Sequence, residues 1–243
     1  MGPVHVKRSP VQLIYGDSFL FFNNQSGHEF IVHLVGDDII IDFLQFCPQK
    51  PIALIGNSCK PNKLYYYSFT RNHIEGRIKK GNIIENVTGE GWFDHQWGRD
   101  YNITFKKDWD WFGIQLDDGR ELLLNQFNSI KRKQTFNPMA NLIEPNGKVK
   151  FTRNVQYYPL KYWKSPFSKA VYPLEWKIVI PAFGMQMNVS PNFYMQEMPI
   201  IGPLQAIWEG ACLILGIEKT LDGQKKLISG KEFMELVGYA NDI

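Results

Sequence analysis

The sequence predicts an all-β protein, and three observations carry that prediction: apolar and polar residues alternate at period two, turn residues punctuate the alternation, and helical periodicity is nearly absent. In LYYYSFTR, from Leu64, the side chains of Tyr65, Tyr67, Phe69 and Arg71 point one way and those of Tyr66, Ser68 and Thr70 the other. Similar short strands are expected at 19–23, 30–35, 39–43, 74–79, 103–106, 111–116, 122–126, 176–180 and 205–215. The turns KKGN, DDGR and PNGK place Gly, Asp or Asn where a hairpin needs positive φ. Near the carboxy terminus SGKEFMELVGY reads either as a helix opening at Ser229 or as a last strand with Phe233, Glu235 and Val237 on one face; the strand is preferred.

A chain of 243 residues accommodates one large all-β domain or two small ones. The plausible seam is near Asn102, giving an amino-terminal β-domain over 1–102 and a barrel over 103–243, long enough for eight strands around a small apolar ligand. Aromatics make up 14% of residues, which suits a ring-rich core or a ring-lined cavity. The net charge of +3 is dispersed, and the basic run SIKRKQTF reads as a solvated hairpin loop, so no nucleic-acid partner is expected. Cys47, Cys59 and Cys212 are too scattered for a disulfide framework or a paired-cysteine zinc site. No apolar run reaches the roughly 18 residues of a membrane span, and the first ten residues lack a signal-peptide core, so a cytoplasmic location is expected. The motifs of serine hydrolases, P-loop enzymes, dinucleotide binders and zinc proteases are missing, and neither GHEFIVH nor GWFDHQWG has a metal-site spacing; no metal and no cofactor are expected.

The densest polar chemistry lies in GEGWFDHQWGRDYNITF, where Trp92, Asp94, His95, Gln96 and Trp97 fall within six residues. One reading makes Asp94 a turn residue capping backbone amides, with both indoles packed as core. The other makes it a carboxylic acid desolvated between indoles, whose neutral form persists toward neutrality and protonates a carbonyl or an electron-rich alkene. His95 and Gln96 would then orient the acid or hold a water, and the indole faces would stabilise the ensuing cation. Residues adjacent in a strand point to opposite faces, so Asp94 and His95 share a cavity only if a bulge or turn intervenes.

Six segments, LYYYSFTR, GEGWFDHQWG, DWFGIQLDDGREL, YWKSPFSKAVYPLEWKIVIP, IWEGACLILG and MELVGY, occur in the order seen in the lipocalin-like carotenoid hydratase superfamily, which the chain resembles from about Leu64 to Tyr239. That superfamily includes hydroxyneurosporene synthases, AttH-type proteins and the fungal decalin-forming Diels-Alderases. The resemblance implies an all-β chain with a sheet-rich amino-terminal domain and a lipocalin-like antiparallel barrel. It also implies Asp94 as proton donor to a double bond, the surrounding Trp92, His95, Gln96 and Trp97 matching the motif. The region before Leu64 is shorter than the superfamily usually has. A pocket is therefore expected to be walled by the strand carrying Tyr65 and Tyr67, by the motif, and by the barrel residues Trp111, Trp163, Tyr172, Trp208 and Glu209. Glu209, an acid in the apolar strand AIWEGACLIL, needs a partner or a cavity if it points inward; Arg71 and Arg153 are candidates.

Two functions follow as expectations. The first is an enzyme, without cofactor, that cyclises, isomerises or hydrates a hydrophobic polyene, terpenoid or polyketide, with Asp94 and His95 as catalytic residues. The second is a non-catalytic carrier of an apolar small molecule, in which the motif is a structural corner.

Overall fold

The computed structural model describes residues 3–23, 29–54, 64–98, 108–129, 134–201, 205–220 and 222–240. The chain divides into two compact units, one of Met1–Asn57 with Tyr65–Trp97 and the other of Ser58–Leu64 with Gly98–Ile243. The seam expected near Asn102 and the strand expected at 103–106 lie outside the described residues.

The first unit is an eight-stranded antiparallel sheet. It comprises β1 (His5–Arg8), β2 (Val11–Tyr15), β3 (Ser18–Phe22), β4 (Phe30–Val35), β5 (Ile39–Pro48), β6 (Ala53–Leu54), β7 (Leu64–Lys80) and β8 (Ile83–Gly98). β1 to β5 form a meander, and the long β7 shares one edge between β5 and β6 while β8 pairs with it as a hairpin across KKGN. The segments expected as separate strands at 64–71 and 74–79 are therefore one continuous strand. Phe22, Phe30, Phe46, Phe69 and Phe93 pack into a single ring cluster, with centroids 4.6 Å apart for Phe30 and Phe46 and 4.7 Å for Phe30 and Phe93. Each such ring removes a large apolar area from water, so this cluster is the main apolar cement of the unit.

The second unit contains β9 (Asp108–Leu116), β10 (Glu121–Ser129), β11 (Gln134–Ile143), β12 (Val149–Thr152), β13 (Gln156–Lys164), β14 (Val171–Ile180), β15 (Met185–Pro191), β16 (Glu197–Ile201), β17 (Gln205–Lys219) and β18 (Lys225–Val237). Their order across the sheet is β12-β11-β10-β9-β18-β17-β15-β14-β13, with β16 also on β17. The sheet curls around its apolar face in the lipocalin manner, so inward residues such as Phe112, Leu124, Trp176, Ile178 and Trp208 form one buried core. The curl brings Tyr157 of β13 onto the far strands, its hydroxyl reaching the carbonyls of Met139 (3.0 Å) and Asn125 (3.3 Å) and its ring stacking on Phe112. The turns DDGR and PNGK close hairpins with Gly119 and Gly147 at φ 83° and 81°, a region that favours glycine. Arg120, beside the first of these, bridges Asp118 (2.7 Å) and Glu218 (2.6 Å), and its guanidinium holds the Asp118 carboxyl well below the usual carboxylate range. SGKEFMELVGY lies in β18 up to Val237, a 3-10 turn over Pro181–Phe183 follows β14, and no α-helix occurs among the described residues. No helix there is long and apolar enough to cross a membrane.

Among the acidic residues buried in the described interior are Asp110 and Glu232. Asp110 accepts from Gln126 (2.8 Å) and Asn128 (2.6 Å) on one oxygen and from the Tyr239 hydroxyl (2.8 Å) on the other. Burial raises its pKa, and those three hydrogen bonds oppose the rise. Glu232 sits between Cys212 of β17 and Ile114 of β9, and neither of its oxygens has a hydrogen-bond partner.

The W-E-G motif of β17 separates into distinct tasks. Trp208 is fully buried in the core, its indole N–H donating to the Tyr194 carbonyl at 2.7 Å. Glu209 faces the other side of the sheet. Gly210 leaves room for Gln196, whose amide pairs both backbone groups of Ala211 (2.8 and 3.1 Å) as another strand residue would. A Cβ on Gly210 would come within 2.4 Å of the Gln196 side chain. Gly210→Ala is therefore expected to displace Gln196 and cost about 2 kcal/mol, read as a lower urea midpoint with an unchanged slope.

Candidate active site

The β7–β8 hairpin mounts the motif, and alternation decides which side chains meet. On one face Tyr65 stacks on Trp97 (centroids 5.3 Å apart), Tyr67 meets His95 edge-on (5.2 Å) and Phe69 lies near Phe93. The His95 Nδ1 is 3.2 Å from the Tyr67 hydroxyl, and the His95 and Trp97 rings are 4.9 Å apart. The opposite face carries Tyr66, Ser68, Thr70, Trp92 and Asp94, with Ser68 and Thr70 fully buried.

Asp94 is held on that second face. The Ser68 hydroxyl and the Trp92 indole N–H, the latter at 2.7 Å, both donate to Oδ1. Part of the Asp94 residue remains open to solvent, yet protein packed around the carboxyl withdraws enough water to raise its pKa, a rise opposed by Ser68, Trp92 and the nearby Tyr66. With two donors converging on Oδ1, that oxygen acts as acceptor, and a proton on Asp94 belongs to Oδ2. The arrangement is an oriented carboxyl group.

The alternation also rearranges the expected roles. Asp94 and His95 project to opposite faces of an uninterrupted strand, so the groups that orient the carboxyl are Ser68 and Trp92. Tyr65, Tyr67, His95 and Trp97 form a separate aromatic shelf, while Gln96 lies on the Asp94 side by alternation. Ser68 escaped the sequence reading as a partner, although the polar face of LYYYSFTR was the signal that marked it. The second glycine of GEG has a local reason: a Cβ on Gly91 would meet the Ile74 side chain at 2.2 Å, and Asn72 ties the strands by donating to the carbonyls of Gly91 and Phe69.

The barrel residues expected to wall the site are distributed over both faces of the second sheet. Trp208 is core. Glu209, Glu235 and Trp111 form one cross-strand row on the outer face, and the Trp111 ring covers Gly113. Partial desolvation raises the pKa of Glu209. Among the described residues Glu209 makes no ion pair; Arg153 reaches Asn137 and lies over the Phe151 ring, and Arg71 holds Glu90 at 2.5 Å. Trp163 and Tyr172 stack with centroids 6.3 Å apart. No cluster of His, Cys, Asp and Glu suited to a metal occurs among the described residues.

Fold and hairpin together define a class: all-β proteins with a lipocalin-like curled sheet and an acid mounted on a separate strand pair. Within that class the chain belongs to the AttH-like family, whose sequence model matches residues 1–239. The fold is shared with an AttH protein of Nitrosomonas europaea (TM-score 0.78, 24% identity, 94% of this chain and 70% of that one). Kievitone hydratase from Nectria haematococca has a TM-score of 0.75 at 16% identity, covering 95% of this chain and 71% of the other. CghA, in a structure with Sch210972, has a TM-score of 0.62 at 10% identity, covering 96% and 71%. No curated protein matches the chain.

Proposed function

We propose that the protein is an enzyme that remodels an apolar polyene, terpenoid or polyketide by proton transfer from Asp94, through cyclisation, isomerisation or hydration of a C=C bond. The observation that carries the proposal is the convergence of Ser68 and Trp92 on Asp94 Oδ1, which leaves the proton to Oδ2 in a desolvated setting. Trp92 and Tyr66, on the face of the acid, are the π-systems placed to stabilise a developing cation. The fold shared with kievitone hydratase and CghA supports this reading, since one name denotes a hydratase. Protonation of a branched alkene by Asp94 gives a tertiary cation and an Asp94 carboxylate; the cation then takes up water or is attacked by a second double bond, and the proton lost in either case returns to Asp94, so one acid serves both outcomes.

A carrier function is favoured by a different aspect of the same contacts: Asp94 joins β8 to Ser68 of β7 and so also braces the hairpin. Apolar extracts of producer cells carrying the wild type, Asp94→Asn or a deletion distinguish the two by mass spectrometry. A metabolite displaced by the mass of water in Asp94→Asn and in the deletion marks hydration or dehydration. A change of retention at constant mass marks cyclisation or isomerisation. Identical wild-type and Asp94→Asn profiles, with a ligand lost only on deletion, would leave the carrier.

A further inference from the structure

The loop Ser165–Ala170 and the start of β16 build a second site within the second unit. Glu197 accepts hydrogen bonds from the hydroxyls of Ser165 and Ser168 and, at 2.9 Å, from Tyr172. The serine oxygens are themselves tied down: Ser165 Oγ accepts the backbone N–H groups of Phe167 (3.0 Å) and Ser168 (3.1 Å), and Ser168 Oγ accepts that of Ala170 (3.2 Å). Each serine has one hydroxyl proton, and each donates it to Glu197. Among the described residues the carboxylate is thus fixed as an acceptor by neutral groups. It borders a pocket of about 250 Å³ whose walls include Trp163, Phe167, Met195 and Pro199. Lys169, on the same loop, gives its ammonium to the Pro166 carbonyl at 2.7 Å.

A carboxylate with no charged partner among the described residues, set in an aromatic and thioether wall, is an unusual thing for a fold to maintain for stability alone. Partly desolvating a charge is costly unless something of opposite sign compensates it. The complement of this site is a positive charge on an apolar body, which the carboxylate attracts directly and the Trp163 and Phe167 rings attract through their π-faces. We propose that the pocket binds a small organic cation, an ammonium group carried by an aromatic or aliphatic residue of modest size. Ser168 and Tyr172 donate to Oε1 and Ser165 to Oε2, which leaves Oε2 one lone pair for an N–H group of such a ligand, while a carboxylate ligand is repelled. The site stands on its own contacts and is independent of any role for Asp94.

The test is calorimetric titration of the whole chain with phenethylamine and with phenethyl alcohol, which share a body and differ in charge. Near neutral pH and at low salt the amine is expected to bind about tenfold more tightly than the alcohol, a gap that shrinks as salt is added. Glu197→Gln is expected to abolish the preference, and Met195→Ala, at a largely exposed position, to weaken both ligands. Equal affinity for the two, no binding of either, or an amine preference that survives Glu197→Gln would overturn the proposal. If Glu197→Gln unfolds, the salt series on the wild type decides: an amine advantage indifferent to salt counts against a charge-selective site.

Discussion

Asp94→Asn is expected to lower turnover by about 10²–10⁴-fold while leaving the melting temperature within a few degrees of the wild type. The amide is nearly isosteric, and its carbonyl oxygen still accepts the hydrogen bonds from Ser68 and Trp92, so the β7–β8 contacts persist. The transferable proton is what it lacks. A second signature is the pH profile. The active form is the protonated acid, and its pKa is raised by desolvation, so activity is retained below that pKa and lost as pH rises through it. Ser68→Ala removes one donor to Oδ1 and raises the pKa further, moving that limb toward higher pH, whereas a purely bracing role predicts lower stability and no moving limb. Full turnover in Asp94→Asn would remove the residue from the mechanism.

Glu232→Met is expected to stabilise the protein, by an amount that grows with pH. Glu232 is buried against Cys212 and Ile114 with both oxygens unpartnered, and burial pushes its pKa well above the ordinary 4.5. The unfolded chain therefore releases the proton at lower pH than the native one does. Above pH 4.5 the unfolded state gains ionisation that the folded state is denied, and native stability falls by about 1.4 kcal/mol per pH unit until the folded pKa is reached. Methionine fills similar space and removes this dependence; the gain at neutral pH is about 1–4 kcal/mol. Urea denaturation of both proteins at about pH 5 and about pH 8 measures the divergence. Parallel curves would show that Glu232 finds a partner in solution. Burial, with the neighbouring Glu232 carboxyl, also pushes the Cys212 thiol up.

The all-β class was legible because alternation in a half-buried sheet writes itself into nearest-neighbour pattern, and because Gly119 and Gly147 occur where hairpins turn. Asp94 stood out for similar reasons. Its partners were harder to see: GWFDHQWG juxtaposes Asp94 and His95 in sequence, and the strand then sends them to opposite faces, while Ser68, 26 positions away, becomes the near neighbour. The cluster of Ser165, Ser168, Tyr172 and Glu197 shows the same limit, because its acid and its donors lie on elements far apart in the chain. Trp208 and Glu209 show the converse, a motif that looks unitary yet faces two environments. Sequence neighbours announce composition; the sheet decides company.

The curled sheet begins at β12 and ends at β13, and the reach of Tyr157 to the carbonyls of Asn125 and Met139 crosses from one side of the curl to the other. A seam fastened by a side-chain hydroxyl, where other strand boundaries carry a ladder, is the line along which the wall can unzip. Amide protons of β12 and β13 should accordingly exchange with solvent deuterium well before those of β17 and β18, which are paired on both sides. Tyr157→Phe should widen that difference while leaving β17 and β18 protected. The barrel would then breathe from one edge, giving its interior a door that the Tyr157 phenol helps to latch.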